Sequence, residues 1–498
     1  MTMETQATGA AWLSRLRDMP PSWRFAGTAA LLVLLGLAAT AGNPLIVAAL
    51  AAAAAIFTLA ALRPRWMLWA TVLTTVLVPS YIRLGVPGLP MVPASLAVTT
   101  LLAAALILES FLGRAGPPCG PDGRRLGRAF IAFGALTIVS MMDAKTTFAG
   151  SVTWWVKAFV APSMLCLIIL RLLKGTDDLD RLFKVMMTGC LIAVFYAIGE
   201  FTTSKNVLLT IFMRRSEDDL DEWPVEAAEH FTRYDAIHRV SSVFIGPIEF
   251  GALLSMVYPY CLLKLIYAGS PRARLGWGAA AALMVAGIAL SVSRGPIVAV
   301  VLCTVLLAVI VKPLRRYVAY GCVVGAIAIA AAWPWLGDKL EQRALDRDNV
   351  TLRFKLLEIA AHMALDHPLL GVGFGNYAKY RTETIQRHQI SVIHEPWAER
   401  VQTADNTYMH LAAECGVIGV TAFIGVFALF FMLAVRLYRQ YPPVAARGLI
   451  LASAVGATAF LINGLTMTVY DSYVMPVMMS VFFAALMILD RDAPRPAR

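Results

Sequence analysis

Long apolar runs follow one another from residue 25 almost to the end of the chain, and they fix its class before any single residue is weighed. Between charged or turn-rich breaks they fall at 25–41, 45–62, 66–80, 92–112, 128–142, 154–170, 182–202, 243–263, 275–291, 296–311, 317–335, 412–435, 444–463 and 472–489. A helix needs about 20 such residues to cross a bilayer core, so about fourteen transmembrane helices are expected. The fold read from this is all-α and polytopic. Composition agrees: 59% of the 498 residues are hydrophobic and 15% charged, against about 45–50% and about 25% in soluble chains. A soluble enzyme, a disordered chain and a coiled coil are excluded. The runs 66–80, 128–142 and 296–311 are short and read as partial or tilted spans. The first run follows Arg15, Arg17 and Arg24 and closes near Ala39-Thr40-Ala41, as a signal peptide does. A second apolar run comes at once, so the first reads as an uncleaved span.

The net charge of +11 is first a topology signal in such a chain. Alternate connections carry Arg63/Arg65, Arg114/Arg124/Arg125/Arg128, Arg171/Lys174/Arg181/Lys184, Lys264/Arg272/Arg274, Lys312/Arg315/Arg316 and Arg436/Arg439/Arg447. The tail adds Arg491, Arg495 and Arg498, and these groups with the first three arginines hold more than half of the 43 Lys and Arg. The short connections of opposite parity contain little beyond Arg83, Lys145 and Arg294. Both termini are therefore expected on the cytoplasmic side, and nucleic acid is not needed to explain the charge. The expected layout is a cytoplasmic 1–24, spans over 25–202, a first outer loop at 203–242 and spans over 243–335. A large outer loop at 336–411, spans over 412–489 and a cytoplasmic 490–498 complete it. The seven cysteines are an odd number without CxxC spacing, so no disulfide framework, metal site or cofactor is read. Cys166, Cys190, Cys261, Cys303 and Cys322 lie inside apolar runs as small hydrophobes.

All seven histidines lie in the two long outer connections, so the polar chemistry is expected there. The first loop is acidic from Glu217 to Glu229, which reads as a solvated face without calcium-loop spacing. In the second, Leu352, Leu356, Ile359 and Met363 recur at the spacing of an amphipathic helix over 350–365, ended by Asp366-His367-Pro368. A glycine-rich turn follows, Leu370-Gly371-Val372-Gly373-Phe374-Gly375-Asn376, whose backbone either approaches a ligand closely or simply turns. Farther on, Asp405-Asn406 precedes Thr407-Tyr408-Met409-His410. Either residue of that pair suits an N-cap, and a catalytic role stands beside that reading.

Three motifs in this order carry a resemblance. Ser291-Val292-Ser293-Arg294-Gly295 follows one span; Arg353 then leads to Asp366-His367-Pro368 through Tyr377; Asp405-Asn406 leads to Glu414, Gly416 and Gly419 and into another span. Together with Arg239 through Gly251, they resemble the O-antigen ligase and polysaccharide polymerase superfamily of bacterial inner membranes. The likeness covers roughly 239–435; residues 1–230 fit by hydropathy alone.

The resemblance implies a metal-independent glycosyltransferase. Its donor would be a glycan on undecaprenyl diphosphate, and its acceptor a second glycan or lipid A core. Membrane lipids would surround it, and a chain-length regulator protein is a candidate partner. A leaving diphosphate needs fixed positive charge, and guanidinium forks suit phosphate oxygens. Arg239, Arg294 and Arg353 are the candidates, against a loop charge, a snorkelling arginine and a solvated helix face respectively. The acceptor hydroxyl needs a base. Ligases of the superfamily supply a histidine where this chain has Asp405, and polymerase-like members often resemble the Asp-Asn form, which turns the reading toward a polymerase. His394 and His410 are candidate substitutes, Asn406 would orient the acceptor, and Gly371, Gly373, Gly375 and Asn376 would shape the cleft. The rival class is a transporter or flippase. Carriers place coupling groups near the midplane, whereas Asp143, Lys157, Glu200, Glu249 and Arg294 map to outer ends of spans.

Overall fold

A computed structural model describes residues 63–79, 82–84, 92–111, 120–142, 148–213, 238–327, 347–391, 403–442 and 445–493, with isolated positions at 56, 59, 60 and 330. The runs 25–41 and 45–62, His394, Asp143 and the acidic stretch from Glu217 to Glu229 lie wholly or almost wholly outside them.

The described residues are all-α apart from one two-residue antiparallel ladder, β1 (Arg83–Leu84) on β2 (Val92–Pro93). The helices are α1 (Pro64–Leu77), α2 (Ala94–Phe111), α3 (Pro121–Met141), α4 (Phe148–Trp155), α5 (Ala161–Leu172), α6 (Gly175–Thr203) and α7 (Val207–Met213). Then come α8 (Pro247–Tyr267), α9 (Pro271–Leu290), α10 (Arg294–Ile310) and a helical stretch over 314–327. The last five are α11 (Arg347–Asp366), α12 (Tyr377–His388), α13 (Thr407–Gln440), α14 (Ala445–Asn463) and α15 (Val474–Asp492). A π-helical turn, Val156–Val160, joins α4 to α5. Proline opens α1, α3, α8 and α9, where its fixed φ suits the first turn and its missing N–H is not needed.

Among the described residues, seven stretches are long and apolar enough to cross a membrane: Ser151–Leu172, Gly175–Thr203, Pro247–Tyr267, Pro271–Leu290, Thr407–Gln440, Ala446–Asn463 and Val474–Arg491. Ala94–Leu106 and Arg294–Ile310 are shorter apolar helices. The chain is a multi-pass membrane protein. α15 stands at its centre, with 94% of its span enclosed, whereas only 28% of the α9 span is. On α10, Val298, Val301, Leu302, Val305 and Val309 face outward. That stripe suits lipid tails, since a soluble surface rarely exposes so large an apolar patch.

Polar fastenings gather at two opposite ends. At one, Arg436 of α13 pairs with Asp122 of α3 and Asp490 of α15. The buried Asp490 also accepts the Gly123 N–H at 2.7 Å, and Arg491 donates to the carbonyls of Leu170 and Leu173 that end α5 (3.1 Å each). This is the basic end. The other carries the SVSRG turn, the glycine-rich turn and Asp405, and is called the site end below.

Candidate functional site

Three backbone turns build the site end. The first holds Arg239. Glu200, at the last turns of α6, accepts the Ser241 and Ser242 N–H groups (3.2 and 2.7 Å) and meets His238 Nε2 at 3.2 Å. Asn206 adds bonds to Ser241 Oγ and the Ser242 carbonyl (3.0 and 2.8 Å). So held, the turn puts the buried Arg239 beside the second one, where its guanidinium donates to Ser293 Oγ at 3.2 Å.

That second turn, Ser291 to Gly295, reverses the chain between α9 and α10. Val292 sits at φ 47°, a conformation costly for a β-branched residue, and it is held by the Ser291 and Ser293 hydroxyls donating to the Ile288 and Ser291 carbonyls (2.7 and 3.0 Å). Arg294 is the exposed first residue of α10. Gly295 lies flat against Thr466, and Gly251 of α8 against Ser291 and Pro296, so that a Cβ at either would overlap its neighbour. Two sequence-predicted arginines are thereby brought to one turn.

The third turn is the glycine-rich one, and its close approach is to protein backbone. Its strand-like stretch lies along a break in α13: the Val372 and Gly373 N–H groups donate to the Ala413 and Glu414 carbonyls, and Val417 N–H to the Pro368 carbonyl, each at 2.9 Å. α13 breaks because Gly416 adopts φ 63°, ψ −168°, a conformation open to glycine. A Cβ on Gly371 would overlap the backbone at Ala413 and Glu414, and one on Gly416 the backbone at Leu369. Gly373 and Gly375 are also at positive φ (96° and 77°), and Gly375 rests on Ser151 and Trp154. Asn376 is fully buried at the start of α12, its amide donating to the Phe374 carbonyl at 3.4 Å.

α11 matches the predicted amphipathic helix, burying Leu352, Leu356, Ile359 and Met363 and packing on α13. From it Arg353 Nε reaches to 3.7 Å of Asp405 Oδ2. Asp405 is itself at φ 50°, and Asn406 caps α13: its Oδ1 accepts the Tyr408 and Met409 N–H groups at 3.0 Å each, and its amide donates to the Leu465 carbonyl at 3.1 Å. Thr407 N–H and Oγ1 bind the Gly464 and Met467 carbonyls (2.7 and 2.8 Å). The stretch 464–469 therefore bridges the Arg294–Gly295 turn, through Thr466, and the Asp405 turn, through Leu465. His410 is buried, with Nδ1 accepting the Ala404 N–H at 3.2 Å and Nε2 3.3 Å from Glu414 Oε1. Both ring nitrogens are thus engaged with protein, which makes His410 a support for the Asp405 turn.

A small pocket with a volume of about 40 Å³ lies beside that turn, lined by Trp154, Tyr377, Thr403, His410, Glu414 and Asp471 among others. Glu414 accepts the Tyr377 N–H at 3.0 Å. Burial pushes the Asp471 carboxyl up to about 6 against the pull of His410 and Lys157, with Asp405 and Glu414 adding like charge. Burial likewise raises Asp405, opposed mainly by Arg353. Asp471, Lys157 and Glu414 were not among the sequence candidates. Asp471 and Lys157 stand in apolar surroundings, and only the unusual sight of a charge at a span edge marks them. Glu200 and Glu249, grouped above with the outer span ends, fasten separate turns, Glu249 through Ser472. Among the described residues, no three His, Cys, Asp or Glu side chains are placed to hold a metal ion.

Residues 279–424 match the family model described as O-antigen ligase. No curated protein matches the chain. The matched segment begins inside α9 and ends inside α13, and it contains Arg294, Arg353, Asp405, His410 and Glu414. Through that segment the chain is similar to the O-antigen ligase family.

Proposed function

We propose that this protein is a polysaccharide polymerase of the bacterial inner membrane, joining undecaprenyl-diphosphate-linked oligosaccharides at the periplasmic face. The observation that carries the reading is the bridge at 464–469. It links the turn bearing Arg294, with Arg239 against Ser293, to the turn where Arg353 meets Asp405. An anionic leaving group and an acceptor hydroxyl would be served around one piece of backbone.

In the reaction, Asp405 takes the proton of an acceptor hydroxyl as that oxygen bonds to the anomeric carbon of the donor glycan. The anomeric C–O bond breaks, and its electron pair leaves on the lipid diphosphate. Arg239, Arg294 and Arg353 hold that developing charge, where fixed guanidinium forks act most strongly. A partly buried carboxylate with a raised pKa is a better base than a solvated one. Asn406 and His410 keep the Asp405 turn in place, and attack from the side opposite the leaving group inverts the anomeric centre.

The second reading, an O-antigen ligase delivering the glycan to lipid A core, is favoured by the description of the matched family. Purified protein in liposomes, given its lipid-linked repeat unit, separates the two. A product ladder without lipid A core supports the polymerase; product only with core supports the ligase; no glycan product in either case refutes both.

A further inference from the structure

Two helices measure how deep the glycine-rich turn sits. At the basic end, Arg436 of α13 and Asp122 of α3 are paired and mark one level. A hydrocarbon core of about 30 Å, at a rise of about 1.5 Å per residue, takes about 20 residues of helix. Counted from that level, α13 reaches Val417, next to its break at Gly416, and α3 reaches Met142, the residue that ends it. Val417 and Met142 are both apolar, and they are 57% and 78% exposed. The far edge of the hydrocarbon therefore lies level with the break in α13.

The turn that ends α11 is fastened at this level through its backbone. The Pro368 carbonyl accepts the Val417 N–H at 2.9 Å, the Leu369 backbone lies on Gly416, and Ser140 of α3 donates to the Leu370 carbonyl at 2.8 Å. Leu365 and Leu369, although they belong to the long outer connection, are 75% and 63% exposed. They extend the apolar outer surfaces that α3 and α13 already present at Val139, Met142 and Val417. Asp366, between the two leucines, is paired with Arg387 and His388 (3.2 and 2.9 Å), so its charge is compensated within the protein. Non-helical backbone at membrane depth needs protein around it, and this turn supplies it for the α13 break.

We infer that the Leu365–Leu369 turn is an interfacial anchor, with both leucines entering the lipid leaflet at the site end. Lipid is the occupant because the two leucines continue span surfaces that face lipid, at the depth where the hydrocarbon ends. The helix that follows has a different exposed side: Lys379, Thr382 and Gln386 of α12 recur at helical spacing and are exposed and polar. The α11–α12 hairpin thus has one side for lipid and one for water, as elements lying in a membrane interface do. The anchor sets the height of the glycine-rich turn, which begins at the next residue. It stands apart from the reaction proposed above and holds whichever acceptor the protein uses.

Spin-label accessibility tests the anchor. In full-length protein, Cys119, Cys166 and Cys322 are replaced by alanine and the buried Cys190, Cys261, Cys303 and Cys415 are kept. Leu365→Cys, Leu369→Cys, Gln386→Cys and Ile424→Cys are then made singly, labelled with a nitroxide and placed in liposomes of phosphatidylethanolamine and phosphatidylglycerol. Collision with oxygen, which dissolves in hydrocarbon, is compared with collision with a neutral nickel(II) chelate, which stays in water. The oxygen-to-nickel ratio at positions 365 and 369 should exceed that at the polar position 386 by about fivefold or more. It should approach the ratio at Ile424, an exposed residue of the α13 span. A ratio like that of position 386 at either leucine would place the turn in water and overturn the anchor. Low collision with both reagents would mean that a second copy or a partner protein covers the leucines, which overturns it equally. Should Leu369→Cys fail to insert because its backbone supports the α13 break, Leu365→Cys decides the question alone.

Discussion

Two opposing effects act on the Asp405 carboxyl: burial favours its neutral form, and Arg353 at 3.7 Å favours the ionised one. Burial prevails, and nearby Asp471 is pushed up to about 6. A base must be ionised to accept a proton, so transfer should fail as pH falls through these raised values. The acid limb of the rate profile is expected above about pH 4, the ordinary carboxylate value. Asp471→Asn removes a like charge, which lowers the Asp405 pKa and moves the limb to lower pH; a limb that stays in place would count against the coupling. Stability has the opposite sign. Carboxyls raised in the folded state stabilise it below about pH 4 and lose that contribution as pH rises to about 6, so acid should not unfold the protein through this pair. The arginines make a separate prediction. Arg294→Lys and Arg353→Lys should recover little product, because an ammonium lacks the planar fork; near wild-type rates in either would mean a point charge suffices.

Among the described residues, where seven of the expected fourteen or so spans are long and apolar enough to cross a membrane, the α11 stripe of Leu352, Leu356, Ile359 and Met363 is buried as its spacing predicted. The break in α13 was not legible. Gly416 reads as one more small residue in an apolar run, and its φ of 63° follows from the distant Pro368–Gly373 backbone lying against it. For the same reason the glycine-rich turn was recognised as special while its partner, another stretch of backbone, was not. Gly416→Ala should therefore be severe, adding a Cβ at positive φ and against the Leu369 backbone. A drop of at least about 2–3 kcal/mol is expected, read as a lower melting temperature in detergent; an unchanged one would show that the break tolerates a side chain. Asn406→Ala, which removes the α13 cap, should cost about 1 kcal/mol, and Asn406→Asp much less. Equal losses would mean that the bond from its amide to Leu465 matters more than the cap.

At the scale of the whole molecule, the two ends divide the labour. The basic end locks α3, α13 and α15 through Arg436, Asp122 and Asp490, while the site end holds the turns around 464–469. The separation predicts that Arg436→Ala, which leaves the buried Asp490 without its cation, lowers stability by about 3 kcal/mol. The affinity for lipid-linked donor should stay unchanged in the variant that still folds; a large loss of affinity would show the ends to be coupled. The sequence placed the arginines on one side by charge bias alone. It could not show that Arg239 meets Ser293 or that Leu465 and Thr466 join the turns, because those contacts depend on how α8, α10, α13 and α14 come together. The central claim is that guanidinium groups at the site end hold a lipid diphosphate while a glycosidic bond forms. Its most direct test measures glycan transfer in liposomes for wild type, Arg294→Ala and Arg353→Ala, with insertion checked in each. Product from the wild type alone is expected, and full activity in both alanine variants would contradict the claim.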